Sequence, residues 1–245
     1  MRRDGYPARL GLGNWGSVAV KTEFAGWSWA RIRRGVRYRL GLHVVAPLLE
    51  DGTDEGVRRY YNSRPSECSF LTDPHHYERP RVDWLLQRAR GGRLLELGCA
   101  DGTVTGMLAG QVDRVVAVDV CEEARSRVQA RGLANVSVRI TLLEHFRPDI
   151  EFDWIIMSEV LEHLRDPVGV VARCLSWLGP GGSLLLSSPL GAWEGDSIEH
   201  LHTFDLESWC ALLVKAGARS MRVFVIKDQA GEDRWLGADV TREAR

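Results

Sequence analysis

The feature that most constrains the fold is an alternation of short apolar segments with amphipathic ones from residue 77 onward. Apolar runs bounded by turn residues predict strands at 93–98, 114–120, 135–140, 152–158, 182–189 and 219–227. Helical periodicity predicts helices at 82–89, 103–110, 122–130, 168–178 and 206–216. Because the strands are nearly all apolar, the fold class is predicted as α/β, a doubly wound, mostly parallel sheet with an antiparallel last strand. Residues 234–240 are expected to form that strand at an edge of the sheet.

The N-terminal part of the chain has a different character. Residues 1–54 mix Gly, Arg and Trp without sustained periodicity, and we expect a basic arm that is loosely docked or flexible. Its segment 27–49 is compatible with a basic amphipathic helix that touches a membrane surface or RNA, although a solvated arm is the simpler interpretation. Residues 55–92 are predicted to form a helical cap and residues 93–245 the core domain.

Length and composition narrow the classes of protein. A chain of 245 residues with 44% hydrophobic residues can bury one sizeable core, and no apolar run is long enough to span a bilayer. The five cysteines are odd in number and include no C-x-x-C pair, which argues against a disulfide framework and a thiolate zinc site. With no recognisable secretory signal, we expect a cytoplasmic protein with reduced thiols. A formal net charge of -1 gives no overall attraction to nucleic acid.

The strongest motif is LLELGCADG, Leu94 to Gly102, where the first core strand ends. Gly98 and Gly102 allow the backbone to turn tightly and approach a ligand, and Asp101 lies where the next helix begins. Glu96 is placed to hold the loop or to contact a cationic group of the ligand. A plain strand-to-helix turn is the alternative.

The second motif is RVVAVDV, which ends in Asp119. A carboxylate at this distance after a glycine-rich loop is typical of sites that bind the two hydroxyls of a ribose. The same residue is also compatible with an N-cap of the helix that follows.

Together with FDWIIMSEVLEHLRDP and LGPGGSLLLSSP, these motifs resemble the ordered signature of class I S-adenosylmethionine (SAM)-dependent methyltransferases over residues 77–227. The similarity is greatest to the small-molecule group that includes ubiquinone O-methyltransferases. It implies a Rossmann-like fold and SAM as cofactor, with the methionine end near the glycine loop, the ribose at Asp119 and the adenine under Leu142 and Leu143. The full implied cofactor set is Glu96, Gly98, Cys99, Ala100, Gly102, Asp119, Val120, Leu142, Leu143, Ser158 and Glu159.

Two positions depart from that signature. Ala100 replaces the middle glycine of the loop, which is compatible with the motif if its φ is negative. Thr141 stands where an acid that contacts adenine is usual, so a backbone carbonyl or Glu144 would have to supply that contact.

A cluster of acids and imidazoles is predicted on the acceptor side of the site. Glu159, Glu162 and His163 share one face if the strand runs into a helical turn. His163 is the first candidate for a general base, since imidazole titrates near neutral pH, and His200 is the second. The favoured prediction includes no metal. The alternative is a divalent ion bound by Glu159, Glu162, His163 and His200, because a similar arrangement occurs in small-RNA 2′-O-methyltransferases.

The resemblance implies methyl transfer to an oxygen or nitrogen of a small molecule, such as a bacterial natural product or metabolite, by a monomer or homodimer. Alternatives are an RNA ribose methyltransferase with a divalent metal, so nucleic acid is unlikely but not excluded as a partner, and a non-catalytic SAM-binding protein. Candidates for an acceptor pocket are Tyr60, Tyr61, His75, His76 and Trp193.

The run GLGNWGSVAVK matches a kinase phosphate loop only superficially, because no H-R-D or D-F-G follows it. A nicotinamide enzyme is the least favoured class, since the loop at 98–102 lacks the G-x-G-x-x-G spacing.

Overall fold

The computed structural model describes residues 53–191 and 200–243, together with the backbone of the strand Ala19–Glu23. The strands are β1 (Ala19–Glu23), β2 (Arg93–Leu97), β3 (Arg114–Asp119), β4 (Val136–Ile140), β5 (Phe152–Ser158), β6 (Leu178–Pro189), β7 (Ser220–Lys227) and β8 (Asp233–Thr241). The helices are α1 (Asp54–Ser63), α2 (Arg79–Arg88), α3 (Thr103–Ala109), α4 (Glu122–Ala130), α5 (Pro167–Trp177) and α6 (Leu206–Lys215). Two short 3-10 helices lie at Ser69–Thr72 and Leu161–His163.

The strands form one sheet in the order β1-β7-β8-β6-β5-β2-β3-β4. Strand β8 is antiparallel to both of its neighbours, and the other pairs are parallel. The chain places β3 and β4 on one side of β2 and β5 on the other. The strand order therefore reverses at β2, and ligands of open α/β sheets bind at such a reversal, outside the carboxyl ends of the strands.

Both faces of the sheet are covered, which confirms the predicted doubly wound arrangement. Successive residues of a strand point to opposite faces, and Leu94 packs in one core cluster while Leu95 packs in the other. Both side chains are completely buried. Buried apolar strands of this kind require helices on each face, and the amphipathic segments between the strands supply them.

Side chains that cap the N-terminus determine where helices α5 and α6 begin. The side chain of Asp166 accepts from the N–H of Gly169, and Pro167 occupies the first turn of α5. At α6, Asp205 and Ser208 form a reciprocal capping box. These caps fix where each helix leaves the sheet edge.

Two features differ from the sequence expectation. Strand β8 lies inside the sheet between β6 and β7, so its predicted place at an edge is wrong. Its apolar residues Trp235, Leu236, Ala238 and Val240 are at most 1% exposed, which an interior strand explains. The strand β1, which pairs in parallel with β7, was not expected in the arm. The predicted amphipathic segment 27–49 lies outside the described residues. In the part of the chain that the structure describes, no helix has the length and apolarity to cross a membrane.

Candidate functional site

A cavity of about 300 Å³ opens at the reversal point of the sheet, at the carboxyl ends of β2, β3 and β5. Helix α1 and the residues after it contribute one wall, through Val57, Tyr61 and Cys68. Most of the sequence-predicted cofactor residues line it: Glu96, Gly98, Cys99, Ala100, Asp119, Val120, Leu142, Leu143, Ser158 and Glu159. The catalytic candidate His163 lines it as well.

The loop after β2 turns through left-handed backbone. Gly98 has φ +81°, and a Cβ built there would lie 2.5 Å from Cγ2 of Val160, so this position requires glycine. Ala100 has φ +47°, so the negative φ that would make alanine compatible with the motif is not found. A left-handed conformation costs an alanine about 1 kcal/mol. The turn is held nonetheless, because the N–H of Ala100 donates to Oδ2 of Asp119 at 2.8 Å.

Gly102 does not line the cavity and starts α3 instead. Its φ is +75°, and a Cβ there would lie 2.5 Å from Cγ2 of Val128 in α4. Glycine therefore allows the two helices to pack closely. The neighbouring carboxylate of Asp101 accepts from the N–H groups of Thr103 and Cys68, both at 2.9 Å, and ties the cap segment to the start of α3.

Asp119 ends β3 with both carboxylate oxygens held. Oδ2 accepts from the N–H of Ala100, and Oδ1 accepts from the N–H of Cys121 at 2.9 Å. Burial raises the pKa of this carboxyl, although these backbone donors oppose the rise. Each oxygen keeps further lone pairs, so the orientation suits a carboxylate that accepts from a vicinal diol.

Glu96 is 4% exposed and lies at the base of the cavity. The hydroxyl of Thr105 donates to its Oε2 at 2.5 Å. Burial raises the pKa of Glu96 to about 8, against an ordinary value of 4.5. A cationic ligand group beside this carboxyl would restore its ionised form.

A buried polar network joins the ends of β5, β6 and β8, and the sequence motifs do not reveal most of it. Glu159 has φ +59°; its Oε1 accepts from the hydroxyl of Ser187 at 3.2 Å and its Oε2 from Nε1 of Trp235 at 3.1 Å. Burial raises the pKa of Glu159 to about 6, against the opposing effect of the Arg81 guanidinium. Arg81 donates to the hydroxyl of Ser158 at 2.8 Å. A cavity-lining arginine 77 residues upstream of its partner leaves no local sequence signal.

The predicted cluster of acid and imidazoles forms around Glu162. One ligand atom from each of Glu162, His163 and His200 lies within 4.8 Å of the others. Glu159 is not part of this cluster, contrary to the four-residue alternative, because its carboxylate faces Ser187 and Trp235. The strand leads into a 3-10 turn, Leu161–His163, and not into an α-helical turn.

Glu162 is 1% exposed, and burial together with the charge of Glu159 raises its pKa well above the usual range. Its Oε2 accepts from the hydroxyl of Ser188 at 2.9 Å, whereas its Oε1 has no hydrogen-bond donor among the described residues. Nε2 of His163 lies 3.9 Å from that Oε1. The backbone carbonyl of Glu162 also accepts from the N–H of Leu201, which brings the chain beside His200 back to the site.

The residues proposed for an acceptor pocket do not lie together in the structure. Tyr61 lines the cavity, and its ring centroid lies 6.4 Å from that of His163. Tyr60 packs in a small apolar cluster with Val57 and Leu142. His75 and His76 lie outside the cavity, and Trp193 falls outside the described residues.

Comparison with known proteins agrees with this geometry. Residues 73–221 match the family described as "Methyltransferase domain", and the chain belongs to that family. A similar curated protein is the ubiquinone biosynthesis O-methyltransferase of Xylella fastidiosa, 33% identical over 153 residues. The match covers 55% of this chain and 62% of that protein, so the chain spans about three fifths of that relative's length.

Two solved structures share the fold. The N-methyltransferase NodS from Bradyrhizobium japonicum in complex with S-adenosyl-L-homocysteine has a TM-score of 0.61 and 21% identity, over 76% of this chain and 97% of NodS. The [4+2]-cyclase SpnF has a TM-score of 0.62 and 16% identity, over 82% of this chain and 98% of SpnF. At these identities the comparisons establish the Rossmann-like fold, and the site residues must carry the argument about chemistry.

Proposed function

We propose that the protein is a SAM-dependent methyltransferase that transfers a methyl group to an oxygen or nitrogen of a small molecule. The observation that carries the proposal is the carboxylate of Asp119, fixed by two backbone donors at the wall of the cavity. Such an acceptor suits the ribose hydroxyls of SAM, and the buried Glu96 suits its positive charge. The family match and the SAH-bound neighbour NodS support the same cofactor.

When bound, SAM supplies an activated methyl group on a sulfonium. The chain has to align the acceptor with that methyl, exclude water and act on the acceptor's proton. His163 is 21% exposed, lines the cavity and lies beside the buried Glu162. We propose that its imidazole accepts the proton that the acceptor hydroxyl or amine loses. His200, with its ring centroid 4.9 Å from that of His163, is a second residue for this role.

The second candidate role of His163 is that of a ligand to a divalent ion. The donor set of one carboxylate and two imidazoles fits such an ion, and the Oε1 of Glu162 that lacks a donor among the described residues favours it. Glu162, His163 and His200 would hold the ion, which would polarise an acceptor hydroxyl. In that case chelation removes activity without changing SAM affinity.

The acceptor is proposed as a small molecule because a similar curated protein is named as a ubiquinone biosynthesis O-methyltransferase. All five cysteines lie in the described residues as free thiols, which supports a reducing compartment such as the cytoplasm. We propose a monomer or homodimer as the working form.

The test is a calorimetric titration with SAM followed by transfer of labelled methyl groups to phenols, amines and short RNAs. We expect SAM binding and labelling of a phenol or amine. Absence of SAM binding would refute the proposed function, and labelling of RNA alone would replace the acceptor class.

A further inference from the structure

Four aromatic rings lie in a row beside the cavity. The ring centroids of Phe70 and His76 are 4.5 Å apart, and those of His76 and Tyr77 are 4.6 Å apart. The ring of Tyr77 stacks on that of Trp235, with the centroids 6.3 Å apart and the planes at 22°. Phe70 and Tyr77 are the two large apolar residues that are exposed in the described part of the chain, at 39% and 46%. Exposed apolar side chains that lie together, and not singly, mark a binding surface.

Both ends of this aromatic row touch the cavity, although the four rings lie outside it. At the inner end, Trp235 is 1% exposed, and its Nε1 donates to Oε2 of the cavity-lining Glu159 at 3.1 Å. At the outer end, Phe70 belongs to a short segment from which Cys68 and Leu71 line the cavity. The aromatic row therefore follows the rim of the cavity, from the cap segment to the start of β8.

The size of the cavity limits what it holds besides the cofactor. Its volume of about 300 Å³ is at the lower end of the range of roughly 300 to 1,000 Å³ found for pockets that hold one small ligand. With SAM in place, the acceptor brings its reacting atom to the methyl group, and the rest of the acceptor lies against the rim. Within the described residues, the aromatic row is the exposed apolar surface at this rim.

We infer that the part of the acceptor that does not react carries a planar aromatic group, which stacks on Tyr77 in the aromatic row. The inference rests on the proposed function and adds a surface outside the cofactor cavity that determines acceptor specificity. The ring of Tyr77 covers Trp235 and remains 46% exposed, so a further ring can continue the row. A flat ring gains from such stacking beyond the apolar area that it buries, whereas a saturated ring of the same size gains from the buried area alone.

The experiment measures the binding of a flat probe and of its saturated counterpart. The probes are 2-naphthol and decahydro-2-naphthol, titrated by calorimetry into the full-length chain loaded with S-adenosyl-L-homocysteine (SAH), so that no methyl transfer occurs. The wild type should bind 2-naphthol about 10-fold more tightly than the saturated alcohol, because only the flat ring stacks.

Substitutions assign the preference to the aromatic row. Tyr77→Leu should remove most of it by weakening 2-naphthol, and Tyr77→Phe should keep it because the ring remains. Phe224→Leu is the matched control, since Phe224 forms an aromatic pair with Trp84 and neither residue lines the cavity. This control should keep the wild-type preference. SAH affinity should be the same in all of these proteins, because the rings lie outside the cofactor cavity.

Three results would overturn the inference: equal affinity of the SAH-loaded wild type for the two probes, binding of neither probe, or a wild-type preference in Tyr77→Leu. Melting curves establish that each variant is folded. If Tyr77→Leu does not fold, Phe70→Leu replaces it at the other exposed ring, and an unchanged preference there would overturn the inference in the same way. A wild type that binds neither SAM nor SAH would instead refute the proposed function.

Discussion

The backbone N–H of Ala100 donates to Oδ2 of Asp119 at 2.8 Å, and this bond joins the glycine loop after β2 to the end of β3. One carboxylate therefore supports the loop and faces the cavity at the same time. Substitutions of Asp119 must be compared with a residue that supports the same loop without facing the ligand.

Replacing Asp119 with Ala should weaken SAM binding by about 1.5 to 3 kcal/mol, or roughly 10- to 100-fold, because a charge-assisted contact to the ribose is lost. Asp101→Ala is the control, since Asp101 also accepts from two backbone N–H groups and does not line the cavity. Calorimetry on both variants, with melting curves to confirm folding, separates the two roles. Equal losses of affinity in the two variants would exclude the ribose assignment.

Ala100→Gly should raise the free energy of unfolding by up to about 1 kcal/mol. Glycine removes the cost of the left-handed conformation at φ +47°, which exceeds the entropy that glycine adds to the unfolded chain. Ala124→Gly in α4 should destabilise by about 1 kcal/mol, because that position is helical and buried. Denaturant unfolding measures both changes, and a destabilised Ala100→Gly protein would contradict the strain argument.

The pKa of Glu96, about 8 in the folded protein and 4.5 in its ordinary state, predicts a pH dependence. Because the folded state retains the proton, the ligand-free protein should lose up to about 1.4 kcal/mol of stability per pH unit between those values. Glu96→Gln should lack this part of the slope. Unfolding curves from pH 5 to 8 measure the difference between the two proteins.

SAM affinity should rise with pH, whereas the stability of the ligand-free protein falls. A cationic ligand binds the ionised carboxyl better, so affinity should rise from pH 6 to pH 8 and binding should release a proton. Calorimetry in buffers of different ionisation enthalpy detects the proton. A wild type whose affinity is as independent of pH as that of Glu96→Gln would contradict the role of this group.

The sequence predicted the elements well where a periodic pattern is bounded by turn residues. The predicted helix 122–130 and strand 152–158 agree with α4 and β5 at both ends. The position of β8 could not be derived, since apolar alternation does not say which strands pair. The left-handed backbone of Ala100 could not be derived for a related reason: Asp119, whose carboxylate holds it in place, is 19 residues away.

At the site, the residues of the sequence motifs could be predicted, and the distant residues that hold them in place could not. Glu96, Gly98 and Asp119 belong to continuous sequence motifs and line the cavity. Trp235 reaches Glu159 across 76 residues, through the pairing of β6 with β8. Such contacts exist only once the sheet has formed, so single-sequence patterns cannot reveal them.

The N-terminal arm offers a prediction about domain organisation. Deleting residues 1–52 should leave cooperative unfolding and SAM binding intact, because β1 lies at the sheet edge and pairs only with β7 among the described strands. Calorimetric melting and a SAM titration of the shortened chain test this. Loss of a cooperative transition would show that the arm completes the core.

His163→Ala should lower turnover by roughly a hundredfold while SAM affinity stays nearly unchanged, because the imidazole is proposed to act on the acceptor and not on the cofactor. His75→Ala, at an exposed histidine outside the cavity, should retain full turnover. If the imidazole acts as the base, activity should be insensitive to chelator and Glu162→Gln should be less severe than His163→Ala. If it holds a divalent ion, chelator should reproduce the defect and both substitutions should abolish binding of added Mn²⁺ or Zn²⁺. An active, chelator-insensitive His163→Ala enzyme would remove both roles and leave His200, or alignment of the acceptor alone, to explain catalysis.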